Sequence, residues 1–115
     1  MKAILIPEFA PDPSTLRPST VPTPTPKADQ CLVRITHCSP QHADILHAQG
    51  KHQNNNAKRG WCFPPFILGY DFAGVVQSIP ADNNGQLTKG DRVLGAAIGA
   101  FAEYICVQEL SLIHI

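Results

Sequence analysis

The sequence predicts a mostly-β fold, a barrel or sandwich with one or two short helices. Short segments rich in Val, Ile and Phe recur along the chain, and turns rich in glycine and proline separate them. Within Gln30–Cys38 the side chains alternate with the period of two that is typical of a strand. A length of 115 residues fits one domain, so we expect a single domain over residues 1–115.

The N-terminal part of the chain is predicted to be extended. Lys2–Ile6 favours a short edge strand that Pro7 closes. Residues 11–26 hold six prolines among Ser and Thr, a composition that neither a helix nor a central strand accommodates. We interpret this stretch as a surface arm between the first two strands. An interdomain linker and a polyproline ligand are the alternatives.

A half-buried strand and a short helix are predicted next. The alternation of Gln30–Cys38 indicates a strand with one buried face. Ser39 is expected to cap the following helix, near residues 41–49, and Pro40 suits its first position. Gly50 fits the position just past the end of that helix.

The rest of the chain is predicted to consist of strands joined by turns. Residues 51–61 form a polar loop that is a candidate rim of a pocket. Residues 83–85 (Asn-Asn-Gly) and 89–91 (Lys-Gly-Asp) are turn sequences. The apolar residues at 110–115 predict an exposed patch and a tendency to self-associate, for example as a homodimer. Further strands are expected over residues 70–79, 92–94 and 101–107.

Charge and targeting features exclude several classes of function. Nine Lys and Arg residues balance nine Asp and Glu residues, so the chain lacks the basic footprint that nucleic acid or an anionic membrane surface requires. The apolar run near the start is too short for a signal peptide or a membrane span, and we expect a cytoplasmic protein. In that compartment the cysteines are expected to be buried or half-buried free thiols: Cys31, Cys38, Cys62 and Cys106.

Common catalytic and metal-binding motifs are absent from the sequence. There is no Cys-x2-Cys pair. The spacing of five between His37, His42, His47 and His52 fits neither a strand nor a helix, so these histidines should not share one ligand face. No Gly-x-Gly-x-x-Gly or Walker-type phosphate loop occurs, and no Gly-x-Ser-x-Gly nucleophile elbow.

Four segments, in order and spacing, resemble the N-terminal domain of the medium-chain dehydrogenase/reductase superfamily. They are residues 41–44 (Gln-His-Ala-Asp, with Gly50 behind them), 67–76 (Ile-Leu-Gly-Tyr-Asp-Phe-Ala-Gly-Val-Val), 89–93 (Lys-Gly-Asp-Arg-Val) and 99–104 (Gly-Ala-Phe-Ala-Glu-Tyr). The resemblance covers nearly the whole chain. It implies a GroES-like, partly open β-barrel.

Two positions decide which branch of the superfamily the chain resembles. In the zinc alcohol dehydrogenases a metal-binding Cys stands where this chain has Gln41, and a metal-binding His stands where it has Tyr70. Amide and neutral phenol groups are poor zinc ligands, and the cysteine-rich structural-zinc lobe is also missing, so no zinc is expected. The resemblance is closer to the zinc-free quinone oxidoreductases and enoyl reductases, whose motifs are Asn-Pro-x-Asp and Gly-x-Asp-x-Ala-Gly. Asp44 and Asp71 match these motifs, whereas Gln41 and His42 depart from them.

The resemblance implies hydride transfer from NADPH or NADH to a quinone or an α,β-unsaturated carbonyl. Without a metal, hydrogen-bond donors must stabilise the negative charge that develops on the substrate. The candidate catalytic residues are Gln41 and Tyr70, which can donate, and Asp44, which would orient its neighbours. The alternatives are a packing role for Tyr70 and a helix-surface charge for Asp44, while Asp71 is assigned to a turn or the barrel rim.

In the resembled family a Rossmann domain that follows this one holds the cofactor, and the 115 residues contain no such unit. We therefore expect the chain alone to bind no cofactor and to be inactive, and its cofactor-binding residues are unknown. Its expected partners are a small-molecule substrate and the missing Rossmann domain. On this interpretation the chain is a fragment or a truncated product. The alternatives are a non-catalytic GroES-like binding or interaction module and a truncation without function.

Overall fold

The computed structural model describes residues 1–58, 61–81 and 86–115, and it confirms the mostly-β architecture. Within these residues one α-helix, α1, spans His42–Gln49. The strands are β1 (Lys2–Ala3), β2 (Leu5–Ile6), β3 (Ser19–Thr20), β4 (Gln30–Cys38), β5 (Phe66–Ile67), β6 (Asp71–Ser78), β7 (Arg92–Ala96), β8 (Tyr104–Gln108) and β9 (Leu112–His114).

Five of the strands form one antiparallel sheet in the order β8-β4-β6-β7-β9. β1 pairs with β3 and β2 pairs with β5 as separate two-stranded ribbons. The sheet curls into a half-barrel, as the GroES-like resemblance implied. Its inner face carries the main core, whose buried members include Val33, Phe72, Val76, Val93 and Ile105. A second cluster of Ile6, Ala48 and Leu68 packs α1 against β2.

The interior strand β4 has the single buried face that its alternation predicted. Cys31 and Val33 are fully buried, and Ile35 is half-buried on the same face. Arg34, on the opposite face, is exposed. β4 pairs with β6 on one side and β8 on the other, so its buried residues lie at the centre of the sheet.

The helix lies within the predicted residues 41–49, but its N-cap is two residues later than the predicted one. Gln41 is the N-cap, with φ −131° and ψ 164°, and its backbone N–H donates to Oδ2 of Asp44 at 2.7 Å. Ser39 and Pro40 lie outside the helix, and the Ser39 backbone N–H donates to the first residue of β6 at 3.4 Å. The prediction of Ser39 as the cap was wrong because Gln41 and Asp44 form a reciprocal capping pair: the Gln41 carbonyl accepts the Asp44 N–H at 3.0 Å, and the Asp44 carboxylate accepts the Gln41 N–H. Gly50 ends the helix in the left-handed region, as predicted.

Several strand boundaries also differ from the prediction. The segment Lys2–Ile6 is divided into β1 and β2 because Ile4 pairs elsewhere, its N–H donating to the Phe101 carbonyl at 2.9 Å. The proline-rich arm contains a short 3-10 turn, Pro13–Thr15, and the edge strand β3. The last predicted strand starts at Tyr104 and not at Phe101. β9 lies in the apolar segment for which no strand was predicted.

Of the two predicted turns, one is confirmed and one lies outside the described residues. At residues 89–91 the Asp91 N–H donates to the Thr88 carbonyl at 3.1 Å, which closes the turn before β7. The Asn-Asn-Gly sequence at 83–85 is outside the described part of the chain. The four cysteines are free thiols, and Cys31, Cys62 and Cys106 are buried or half-buried as predicted, whereas Cys38 is exposed near the end of β4, against the prediction.

The C-terminal segment exposes the apolar patch that its sequence predicted. Leu110, Ile113 and Ile115 are 95%, 63% and 57% exposed. Self-association through this patch stays a prediction. Among the described residues, no helix is long and apolar enough to cross a bilayer.

Candidate functional site

Two cavities adjoin at the end of the sheet where β6 begins and β7 ends. The larger, which we call the sheet-end cavity, has a volume of about 600 Å³. Phe72, Leu94 and Ile113 supply apolar lining, while Cys38 and Asp71 are among its polar residues. The cavity therefore combines an apolar surface with a carboxylate.

The smaller cavity, which we call the aromatic cavity, has a volume of about 350 Å³. Three rings line it, those of Trp61, Phe66 and Tyr70. Its remaining lining residues are Asn54, Cys62, Ala96, Ala97 and Ile98, so none of the described lining residues carries a formal charge at neutral pH. Ala96 also lines the sheet-end cavity, which places the two cavities side by side.

Tyr70 and Asp71 stand between the two cavities. The backbone carbonyl of Tyr70 accepts a hydrogen bond from the Ala97 N–H at 2.8 Å, which holds the chain as it enters β6. The Tyr70 ring is 43% exposed and lines the aromatic cavity, whereas Asp71 lines the sheet-end cavity. Consecutive side chains of an extended segment point to opposite sides, so each of these neighbours serves a different cavity.

Gln41 is brought to Asp71 and not to the aromatic cavity. Its Nε2 donates to Oδ2 of Asp71, which ties the start of α1 to the start of β6. Gln41 lines neither of the two cavities; it lies at a third, more apolar cavity of about 280 Å³ beside Pro13 and Leu16. The structure therefore joins two residues that the sequence placed 30 positions apart, but it does not converge Gln41 and Tyr70 on one cavity.

Asp44 is buried, so the alternative of a helix-surface charge does not hold. Its side chain is 3% exposed. Oδ2 accepts the Gln41 backbone N–H, while Oδ1 has no hydrogen-bond partner. The carboxylate therefore holds the backbone of Gln41, whose side chain in turn holds Asp71.

Sequence reasoning missed the neighbours of Asp44 in this site. His47, one turn further along α1, is buried, and its ring contacts that of His52 with a centroid separation of 4.2 Å. The spacing of the histidines could not predict this contact, because the contact joins a helix to a loop and does not follow the period of either one. Cys62 is also buried, and burial, with a smaller contribution from Asp44, raises the pKa of its thiol. Cys62 is thus a neutral thiol in the cavity wall.

The donor groups of the site do not suit zinc. The Gln41 amide is already bonded to Asp71, and a neutral phenol is a poor metal ligand. Among residues 1–58, 61–81 and 86–115, no group of three or more His, Cys, Asp or Glu side chains is arranged to hold a metal ion. We therefore derive no step through zinc.

Comparisons with known proteins agree with this geometry. The model of the alcohol dehydrogenase GroES-like domain matches residues 27–115. The trans-enoyl reductase BOA5 of Botryotinia fuckeliana (strain B05.10) is 37% identical over 110 residues, which are 90% of this chain and 26% of that protein. The structure of the quinone oxidoreductase from Coxiella burnetii superimposes with a TM-score of 0.85 and 31% identity, over 99% of this chain and 36% of that one. The Escherichia coli quinone oxidoreductase, solved in complex with NADPH, shares the fold at 18% identity, with a TM-score of 0.82 over 100% of this chain and 33% of that one.

The curled half-barrel sheet, mostly of strands and with one α-helix among the described residues, is the architecture of a GroES-like partial barrel. The chain belongs to the alcohol dehydrogenase GroES-like domain family, whose model matches residues 27–115. It spans about a quarter of the length of the trans-enoyl reductase and about a third of each solved structure.

Proposed function

We propose that this chain is the substrate-pocket domain of a zinc-independent, NAD(P)H-dependent reductase that acts on quinones or α,β-unsaturated carbonyls. The observation that carries the proposal is the aromatic cavity, in which the phenol of Tyr70 lies among apolar walls. The enoyl reductase and quinone oxidoreductase to which the chain is similar support the same class of reaction.

The lining of the aromatic cavity favours a flat and uncharged substrate. The rings of Trp61 and Phe66, with the side chain of Ile98, offer apolar surface to a conjugated system. None of the described lining residues carries a positive charge that would pair with a carboxylate or phosphate, and burying a charge without a counterion is unfavourable. A quinone ring or an enone satisfies both conditions.

The residues of this chain divide into one donor and a set of positioning groups. A bound nicotinamide would supply the hydride. The hydroxyl of Tyr70 donates a hydrogen bond to the substrate oxygen as negative charge develops there. Asp44 holds the backbone of Gln41, and the Gln41 amide holds Asp71, so these bonds fix the start of β6 beside which Tyr70 stands. Gln41 and Asp44 are therefore positioning residues in this proposal.

We also propose a cytoplasmic location and two partners for the protein. Four free cysteines support a cytoplasmic location, where thiols stay reduced. The partners are a small-molecule substrate and a Rossmann-type cofactor domain. The balance of nine basic and nine acidic residues favours neither nucleic acid nor an anionic membrane surface.

Substituting Tyr70→Phe tests the proposal in a form of the protein that carries a nicotinamide-binding domain. Loss of the phenol removes the donor but keeps the ring that lines the aromatic cavity, so we expect turnover of an enone or quinone to fall more than about tenfold with little change in stability. The measurement is steady-state oxidation of NADPH, followed by its absorbance, together with a thermal melt.

Tyr104→Phe is the matched control because Tyr104 is the second of the chain's two tyrosines and lies on β8, outside both cavity linings. It should keep the parent rate. Equal rates for the parent, Tyr70→Phe and Tyr104→Phe would show that Tyr70 only packs in the cavity wall. They would contradict the proposal that its hydroxyl donates to the substrate.

The 115-residue chain alone should show no saturable binding of NADPH in the micromolar range. It has no glycine-rich phosphate loop, and no Lys or Arg is among the described residues that line either cavity, so the cofactor's pyrophosphate would lack its usual partners. Fluorescence of NADPH during titration with the purified chain measures this. Saturable micromolar binding would show that this domain holds the cofactor itself, against the proposed division of labour.

A further inference from the structure

Two histidines join α1 to the loop beside the aromatic cavity. His47 lies in the last turn of the helix and is 4% exposed, while His52 follows the helix end and is half-buried. Their ring centroids are 4.2 Å apart, and the ring planes are tilted by 55°. Two rings this close cannot both carry a proton without strong mutual repulsion.

We call residues 51–58 and 61–62 the wall loop, because three of them line the aromatic cavity: Asn54, Trp61 and Cys62. The side-chain amide of Asn55 connects its two ends to α1, donating to the His47 carbonyl at 3.1 Å and to the Cys62 carbonyl at 2.6 Å. The wall loop is thus anchored at the same helical turn that carries His47.

The surroundings of the two rings favour neutral imidazoles, through a hydrogen bond at His52 and through burial at His47. The backbone N–H of Asn54 donates to Nδ1 of His52 at 3.0 Å, so this nitrogen carries no proton in the structure. Neither ring nitrogen of His47 has a hydrogen-bond partner, although both are buried. A protonated His47 would therefore place two unsatisfied N–H donors and a charge in a buried site.

The groups that surround His47 shift the pKa of its imidazole in different directions and to different extents. Burial, followed by the nearby His52, lowers the pKa of His47, and Asp44 on the same helix opposes this with a smaller effect. Among the described residues of the wall loop, Cys62 contributes a buried neutral thiol, and Lys51 and Lys58 are exposed. The 3-10 turn that packs against α1 brings Asp12, which is exposed and accepts hydrogen bonds from Ser14.

We propose that His47 and His52 form a pH-sensitive latch that holds the wall loop, and with it Trp61, against the aromatic cavity while both imidazoles are neutral. Protonation would break the contact between the rings and release the wall loop from α1. The consequence for substrate binding rests on the proposed function, whereas the latch itself is a property of this chain.

The direction of the pH dependence follows from the lowered pKa of His47. The closed form binds fewer protons than a form in which His47 meets water, so closure is fully favoured above the ordinary histidine pKa of about 6.5. It is lost as the pH falls from there toward the lowered value. The same linkage makes the folded chain less stable on the acid side of that window.

Trp61 reports the state of the latch because it is the chain's one tryptophan and lies in the wall loop. We expect the emission of Trp61 in the 115-residue chain to change in one sigmoidal step between about pH 8 and pH 5, with a midpoint below about 6.5. Quenching by acrylamide should rise over the same step. Far-UV circular dichroism should stay constant, since only the loop contact opens.

His47→Phe should abolish the step, because a buried ring remains that cannot be protonated. His52→Gln, at a half-buried position, removes the partner ring and provides a second test should the first variant not fold. His42→Gln is the matched control on the same helix, since His42 is exposed, and it should keep the step. Constant emission in the parent, or the parent's step in both latch variants, would overturn the latch. Because no substrate is present, absence of reductase activity would leave this result unaffected.

Discussion

Gly74→Ala should lower the free energy of unfolding by about 3 kcal/mol or more, enough to threaten folding of a small domain. Gly74 lies in β6, where it pairs with Ile35 of β4 on one side and Val93 of β7 on the other. An added Cβ would lie 2.3 Å from the backbone oxygen of Arg34 and 2.8 Å from Cγ1 of Val33. The two central strands would have to separate to admit it. Urea unfolding followed by circular dichroism measures the loss.

Gly90→Ala separates this steric effect from a conformational one. Gly90 has φ +95°, and no atom lies within 4 Å of an added Cβ, so the substitution costs only backbone strain of about 1 kcal/mol. Gly74→Ala should therefore be clearly the more damaging variant. If the two variants unfolded at the same urea concentration, close approach of β4 and β6 at Gly74 would not be a requirement of this fold.

Phe72→Ala should lower the free energy of unfolding by about 3–5 kcal/mol. Phe72 is 4% exposed, belongs to the main core and forms part of the sheet-end cavity. Its ring lies against Gly95, where an added Cβ would be 2.8 Å from Cζ of Phe72. Truncation would remove a buried ring and extend the cavity into the core, and both effects destabilise the folded chain. Thermal and urea unfolding should show the same loss.

Ile113→Ala is the control for the sheet-end cavity. Ile113 lines the same cavity but is 63% exposed, so its truncation should change the free energy of unfolding by no more than about 0.5 kcal/mol. A loss as large as that of Phe72→Ala would mean that Ile113 is covered in solution, for example by self-association through the apolar patch. A small loss for both variants would contradict the placement of Phe72 in the core.

Local sequence patterns predicted those features of the fold that depend on a single strand or helix. The alternation of Gln30–Cys38 predicts a half-buried strand because successive side chains of any strand point to opposite faces. Gly50 predicts the helix end because a left-handed residue is needed there, whichever element follows. The ordered motifs around Gln41, Gly69 and Gly90 predict the family, and the family model that matches residues 27–115 confirms it.

The same local rules failed at the start of α1. Ser39 and Pro40 are good helix-start residues, yet the helix begins after Gln41. Asp44 is buried, and its carboxylate accepts the backbone N–H of Gln41, which takes the N-cap position. The capping propensity of Ser39 carries no information about the burial of Asp44.

The sequence by itself determined the mostly-β fold and the family, since these depend on residue types and their order along one chain. Only the tertiary structure decided which of the candidate residues meet. It joined Gln41 to Asp71, placed Tyr70 in a separate aromatic cavity and set His47 against His52. These contacts join a helix to a strand or a loop, and no spacing along the chain encodes the distance between elements that meet only when the core packs.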